Sequence, residues 1–447
     1  MPAIDTVIIG AGHAGLAVSR LLTLEGRDHV LLDRGRVAES WRTARWDSLH
    51  LLTPNWMARL PHWRHTGADA DDFMSASQFV NYLERYAASF SAPVLAGVHV
   101  LEVSAVAQGY RVVTDSATWL ARHVVVATGP GHRPRTPAAV QGLSPKVQVT
   151  TSADYRNPRQ VADGGVLVVG ASASGVQIAD ELAAAGRKVV VAVGSHTRLP
   201  RDYRGMDIYW WLDRTGRLAR TIEQVPDPEA ARREPSLQLV GRGSHLTQAR
   251  QLDLATLQAR GVRLAGHLVA SEGRRVRFAD DLTHSVVGAE RRMHRFLDAV
   301  DRHVDASGLT QEVWSPERPR AVRLQDPPES LDLVAEGIRT VVLATGYRQS
   351  HPWLTLPITA PDGSIRQRRG RTEAPGVFVV GQRFQHRRDS GMVDGARRDA
   401  AMVVADLVGA EPRPHRDRDD EPADSAAEQA LGDQADLPQE RLQERKS

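Results

Sequence analysis

The sequence predicts an α/β protein built on two parallel-stranded βαβ units, and three observations carry that prediction. Gly10-Ala-Gly12-His-Ala-Gly15 directly follows the apolar run Val7–Ile9. Further along, Gly170-Ala-Ser172-Ala-Ser-Gly175 repeats the arrangement behind Val166–Val169. Two further apolar runs, Val124–Val126 and Val341–Leu343, each lead into Ala-Thr-Gly. Continuous apolar runs of this length suit parallel strands buried on both faces.

In the first unit a strand ends at Ile9, and the glycines permit a tight turn with room for a pyrophosphate at the start of a helix over 16–24. Val30–Leu32 reads as the second strand and ends in Asp33, placed to accept from a ribose hydroxyl. Strand, glycine turn, helix and terminal acid in this order define a Rossmann-like dinucleotide site. The second unit departs at Ser172, where the middle glycine allows the closest backbone approach. Its helix over 176–185 and strand over 189–193 complete the pattern, followed by Gly194-Ser195-His196-Thr197-Arg198 with no acid at the strand end. An acid there would repel a 2′-phosphate, whereas Arg198, Ser195 and Thr197 are suited to hold one, so the sequence favours NADPH over NADH.

The chain's 447 residues, 41% of them hydrophobic, suffice for two domains with their own cores. No stretch reads as a membrane span, and the N-terminus enters the first strand at once, so a cytoplasmic enzyme without a secretory signal is expected. The net charge is +3, but the last 37 residues hold eleven acids against six bases, which leaves about +8 on the rest. That excess suits anionic cofactors, and with no nucleic-acid motif present a nucleic-acid partner is not expected. Cysteine is absent, which removes a redox-active dithiol, thiolate zinc and cysteine nucleophiles from this chain.

Between the motifs, an aromatic-rich stretch over 41–73 contains Trp41, Trp46, Trp56 and Trp63, and must fold against something, a flavin edge being one candidate. A helix is expected over 77–89. Strands over 98–106, 110–114 and 118–121 read as an antiparallel excursion, and 124–129 as a return to the parallel sheet. The proline- and glycine-rich 130–145 reads as a linker. Helix-compatible spacing recurs over 207–211, 247–259 and 288–306. Val377–Gly381 reads as a late buried strand, with its helix over 395–408. Residues 411–447 read as a disordered tail.

These motifs together resemble a flavin-dependent monooxygenase of the two-dinucleotide-domain type, the group that includes flavin-containing, Baeyer-Villiger and N-hydroxylating enzymes, with the likeness spanning roughly residues 4–408. The resemblance implies FAD on Gly10, Gly12, Gly15 and Asp33, and NADPH on Gly170, Ser172 and Gly175, with Ser195 and Arg198 at its 2′-phosphate. It further implies cofactor contacts at the Trp41-Arg42 pair that follows the acid, at Thr128-Gly129 and Thr345-Gly346 where the chain crosses between domains, and at Gly381-Gln382. The implied organisation is an FAD domain over 1–158 and 321–410 with an NADPH domain over 159–320 inserted in it. The implied reaction uses NADPH and O₂ to oxygenate a small organic molecule, oxygen adding at C4a of the reduced flavin; no metal is required. Thr151 stands where relatives carry a linker histidine, which places heteroatom or carbon oxygenation ahead of Baeyer-Villiger insertion. An NADPH-dependent reductase or oxidase is the alternative, and a non-enzymatic dinucleotide sensor a third reading.

Catalytic candidates are Asn55, Trp41 and Arg42. Asn55, after Thr53-Pro54, suits either a hydrogen bond to flavin or nicotinamide or an Asx turn behind the proline. Trp41-Arg42 suits either the flavin or a structural pair. Asp389 and Ser390 lie where a helix N-terminus meets a flavin edge, and His386 reads as a loop residue. Tyr203, Tyr209, Trp210 and Trp211 suit either a pocket wall or a domain contact. His245, His267, His284, His294 and His303 show no metal-ligand spacing. A homodimer, the commonest soluble assembly, is the expected oligomer.

Overall fold

A computed structural model of the chain describes residues 2–131, 133–241, 251–324 and 326–409. The tail over 411–447, His245 and the first four residues of the helix expected over 247–259 lie outside them. Two separate parallel sheets carry the molecule, as the two glycine motifs require.

The first sheet is centred on β1 (Ala3–Ile9), flanked in parallel by β2 (His29–Asp33) and β3 (Thr118–Val126). Ile9 is level with Leu32 on one side and Val126 on the other, and Val126 with Val379 beyond. This register brings the Gly10 loop, Asp33, Ala127 and Gly381 to one edge of the sheet. Ile8 and Val125 are fully buried under α1 (His13–Leu24) and the helix Val393–Val408, which pack together over one face, while Val7, Val124 and Val126 are buried on the other face with Val103, Tyr110 and Leu354. The excursion over 100–106 and 109–114 is antiparallel as expected. The segments over 118–121 and 124–126, however, are one strand. The polar Arg122-His123 breaks its apolar pattern where β3 exchanges one neighbour, Gly109–Thr114, for another, Val377–Val379.

α2 (Ala76–Ser89) opens with a reciprocal cap: the Gln78 N–H donates to Ser75 Oγ, and the Ser75 N–H to Gln78 Oε1. It receives the tryptophan-rich stretch. Trp63 packs on Tyr82 and Tyr86, and Trp41 meets Phe79 edge-on at 4.9 Å.

The chain leaves the first sheet through β4 (Arg133–Pro134). The second sheet runs in the order Gln148–Thr151, Ile338–Leu343, Gly165–Val169, Val189–Ala192, Arg263–Ala265, all parallel. Gly165–Val169 is β5, and Val189–Ala192, after α3 (Ala173–Ala184), is β6. Behind them α4 (Leu282–Ala306) buries a stripe from Val286 through Met293 and Phe296 to Val304. Ile338–Leu343 is β7, and the chain returns through β8 (Tyr347–Arg348), which pairs antiparallel with β4. The crossings therefore lie at 133–134 and 347–348, not at 158/159 and 320/321. The strand over 338–343 pairs with the second glycine motif's own strand and that over 148–151 lies beyond it, and this long-range pairing leaves no local signature. The late strand, β9 (Val377–Val379), and its helix α5 (Val393–Val408) belong to the first domain as expected. No helix among the described residues is long and apolar enough to cross a membrane.

Candidate functional site

The two glycine loops have one geometry. Gly10 has φ +112°, and a Cβ there would lie 2.6 Å from the Ala127 carbonyl oxygen; one on Gly15 would lie 2.0 Å from the Gly10 oxygen. In the second loop Gly170 has φ +109°, and a Cβ there would lie 2.4 Å from the Ala344 oxygen; one on Gly175 would lie 1.9 Å from the Gly170 oxygen. Both turns are thus closed against the first residue of an Ala-Thr-Gly segment, and only glycine permits them. Gly12 differs, since nothing lies within 4 Å of its Cβ position. It caps α1 with no side-chain bond, and Ser172 caps α3 the same way. Each helix therefore presents unsatisfied N–H groups at an open turn, a cradle for a pyrophosphate.

Asp33 stands beside the first cradle. Its Oδ2 accepts from the Ala11 N–H at 2.7 Å and its Oδ1 from the Gly35 N–H at 2.9 Å, which fixes the carboxylate at the strand end with a lone pair on each oxygen to spare. At the corresponding end of β6, Ser195 is exposed. Arg198, expected beside it, is not available. Only 1% exposed, it donates to Asp253 at 2.9 Å, to Glu290 at 3.0 Å and to the Arg320 carbonyl. A guanidinium buried among its own carboxylates would have to lose them to receive a phosphate.

Asn55 is also committed. Its Nδ2 donates to the Asp69 carbonyl and carboxylate at 3.0 and 3.1 Å, and its Oδ1 accepts from the Met74 N–H at 2.9 Å, so both amide hydrogens clasp the loop over 69–74. Trp41 and Arg42 sit on the short helix Glu39–Thr43. Trp41 packs at the seam of the two main cores, with the Arg45 guanidinium 4.9 Å from its ring, and Arg42 pairs with Glu84 on α2.

The Ala-Thr-Gly glycines turn the chain out of its sheets, Gly129 with φ +83° and Gly346 with φ +81°. Thr345 donates to the Arg135 carbonyl and Thr128 Oγ1 lies 3.3 Å from His351 Nε2, so these threonines secure the crossings. Gly381, with φ +77°, brings the end of β9 against Ala14 at the start of α1. The buried Gln382 donates to the Gly129 carbonyl at 3.2 Å and accepts from Gln349 at 2.5 Å, tying that end to both crossings.

Tyr203, Tyr209, Trp210 and Trp211 form a third core with Met293, Phe296 and Leu297 of α4 and Met57 of the first domain. The adjacent tryptophans are 8% and 0% exposed and meet edge to face at 4.6 Å, so neither turns outward. The domain-contact alternative describes them.

A buried charge network surrounds the start of α5, where the sequence marked only Asp389, Ser390 and His386. Asp394 accepts from Arg59 at 3.0 Å and from Arg397 and Arg398 at 2.8 Å each, and these guanidiniums hold it below the usual carboxylate range despite its burial. Asp389 lies 3.0 Å from Arg398 yet is raised, because burial outweighs its arginine neighbours. Asp399, 1% exposed, is pushed up to about 7 by burial. Ser390 Oγ accepts the N–H groups of His386 and Arg387 at 3.2 and 2.9 Å. The i, i+3 and i+4 spacing of Asp394, Arg397 and Arg398 was the available signal.

Residues 7–212 match the pyridine nucleotide-disulphide oxidoreductase family. An uncharacterized CzcO-like oxidoreductase of Geobacillus kaustophilus is 27% identical over 91% of this chain and 98% of its own. Indole-3-pyruvate monooxygenase YUCCA4 of Oryza sativa is 33% identical over 46% of this chain and 52% of its own. Among solved structures, a flavin-containing monooxygenase from Stenotrophomonas maltophilia superposes with TM-score 0.63 at 20% identity, covering 92% of this chain and 99% of that one. The chain has the α/β fold with two Rossmann-type dinucleotide-binding domains that this flavin-containing monooxygenase also has.

Proposed function

We propose that this chain is an FAD-dependent monooxygenase that uses NADPH and O₂ to oxygenate a small organic substrate at a heteroatom or carbon. The observation that carries the proposal is the pair of matching cradles at Gly10–Gly15 and Gly170–Gly175, joined by crossings that Gln382 and Thr345 tie together, on a chain without cysteine. A disulfide reductase of this architecture relays electrons through a dithiol, and this chain has none to offer.

In this reading Gly10–Gly15 and the N-terminus of α1 hold the FAD pyrophosphate, Asp33 binds its ribose, and Gly381 lets the late strand approach closely. Gly170–Gly175, Ser172 and the N-terminus of α3 hold NADPH. Together the bound cofactors supply hydride transfer and the reductive activation of oxygen. Arg42 and Asn55 position the cover over 39–74 rather than exchange protons, since their polar atoms are engaged within the fold, and Trp41 serves the same cover by packing on Phe79. Thr151 donates to Asp154 at 2.6 Å and closes a local turn, which leaves no imidazole at the linker. This favours heteroatom or carbon oxygenation over carbonyl insertion. The reading also makes the protein a cytoplasmic enzyme, with a homodimer as the expected assembly.

The test is incubation of the flavin-loaded protein with NADPH, ¹⁸O₂ and a panel of amines, sulfides, indoles and ketones. The rice relative's name adds 2-oxo acids to that panel. One labelled oxygen in a product supports the proposal. Complete conversion of consumed NADPH into peroxide across the panel moves the assignment to an oxidase or reductase.

A further inference from the structure

We infer that Arg292, carried on α4 rather than on the loop after β6, is the cation that selects a 2′-phosphorylated dinucleotide. The inference rests on the reading of Gly170–Gly175 as an NADPH site and names the residue that gives that site its preference.

In a βαβ nucleotide site the adenosine ribose lies at the end of the second strand. Here that end is Gly194-Ser195-His196, with an exposed hydroxyl and no carboxylate. Arg292 is exposed, and its Nη2 donates to the His196 carbonyl at 2.7 Å, which docks the guanidinium on this loop. That bond uses one of five N–H donors, and among the described residues no carboxylate pairs with it. Enough of the planar fork remains for a two-point contact with a phosphate. His196 contributes no competing charge. Buried, with Nδ1 3.0 Å from the Gly194 carbonyl, it is lowered from its ordinary value mainly by desolvation.

The buried Arg198 then has a role as a positioning residue. It binds Glu290 at 3.0 Å, and the same Glu290 oxygen accepts from the Val322 N–H at 3.0 Å. Glu290 stands two residues before Arg292 on the same helix, so the pair fixes α4 where Arg292 reaches the loop. Two arginines thus share the work: Arg198 locks the helix and Arg292 meets the ligand.

Calorimetric titration of the full-length flavoprotein with adenosine 2′,5′-bisphosphate and with 5′-AMP tests this without turnover. Arg292→Ala is expected to weaken the bisphosphate by about tenfold or more, and 5′-AMP by less than about twofold. Arg292→Lys should recover part of the loss, since a point charge replaces the fork. An unchanged ratio of the two affinities in Arg292→Ala would overturn the assignment to Arg292. If the unaltered protein binds neither nucleotide, the second loop is not a dinucleotide site, and the proposed function fails along with the inference.

Discussion

The two glycine units agree where the backbone must close and differ where a ligand would lie. Gly10 and Gly170 adopt nearly the same φ and each faces an alanine carbonyl, and Gly15 and Gly175 each press on the preceding turn. The middle position is Gly12 in one unit and Ser172 in the other, and the strand end is Asp33 in one and Ser195 in the other. Close packing against main-chain atoms admits one residue type, whereas open positions tolerate several. The shared glycines therefore report the turn, and the divergent positions are where, in the proposed reading, each unit would select its dinucleotide.

The sharpest way to break this equivalence is to substitute the first glycine of each loop. Gly10→Ala and Gly170→Ala each force a Cβ onto a carbonyl at positive φ, and each is expected to cost more than about 3 kcal/mol. Thermal unfolding and soluble yield would show it. A normally stable Gly170→Ala protein would mean that the second loop is not the same turn.

Next in size is Arg198→Met, which leaves Asp253 and Glu290 without their shared cation. A loss of about 3–5 kcal/mol in chemical denaturation is expected, and an effect confined to cofactor preference would return Arg198 to the phosphate.

Asp399, on the helix that covers the first sheet, provides a pH-dependent contrast. Its folded-state pKa is raised to about 7, while the unfolded chain releases that proton near the ordinary carboxylate value of about 4. The folded state therefore holds the extra proton between these values. The stability this group contributes is fully present below about pH 4 and is lost as pH rises through about 7. Asp394 has the opposite sign: its pKa is lowered, so its contribution is present at neutral pH and is lost on acidification. Asp399→Asn should become more stable relative to the unaltered protein as pH rises from 5 to 8. A pH-independent difference in Tm would dispose of the neutral carboxyl.

The smallest effect on stability, and the most discriminating for cofactors, is to exchange the middle residues. Gly12→Ser meets no atom within 4 Å, so cofactor-free stability should change by less than about 0.5 kcal/mol while flavin retention falls. Equal flavin content at equal Tm would place the FAD pyrophosphate elsewhere.

What could be read from the sequence was local. Val7–Ile9, the Gly10 loop, α1 and Asp33 are contiguous signals of one turn, and they stand together in the fold. Arg198 was misassigned because its partners, Asp253 and Glu290, lie 55 and 92 residues away. The domain limits moved for the same reason, since the strands at 148–151 and 338–343 meet only through pairing across the second unit. Asn55 read equally as ligand contact or turn former until the partners over 69–74 decided for the clasp. Trp210 and Trp211 could not both face one local helix core, but α4 and Met57 supply a second wall.

The antiparallel pairing of Arg133–Pro134 with Tyr347–Arg348 means that the inserted unit departs and returns at one place. Neighbouring strands of such a ladder lie about 5 Å apart, a gap that a two-residue turn can bridge. Everything from Arg135 to Gly346 is then a guest spliced into a host, entering just after the host's own Ala-Thr-Gly and leaving just after the guest's. The host carries the pattern strand, glycine turn, helix, strand and Ala-Thr-Gly, and the guest carries the same pattern. One such pattern thus sits inside another, at a seam where neither sheet is cut.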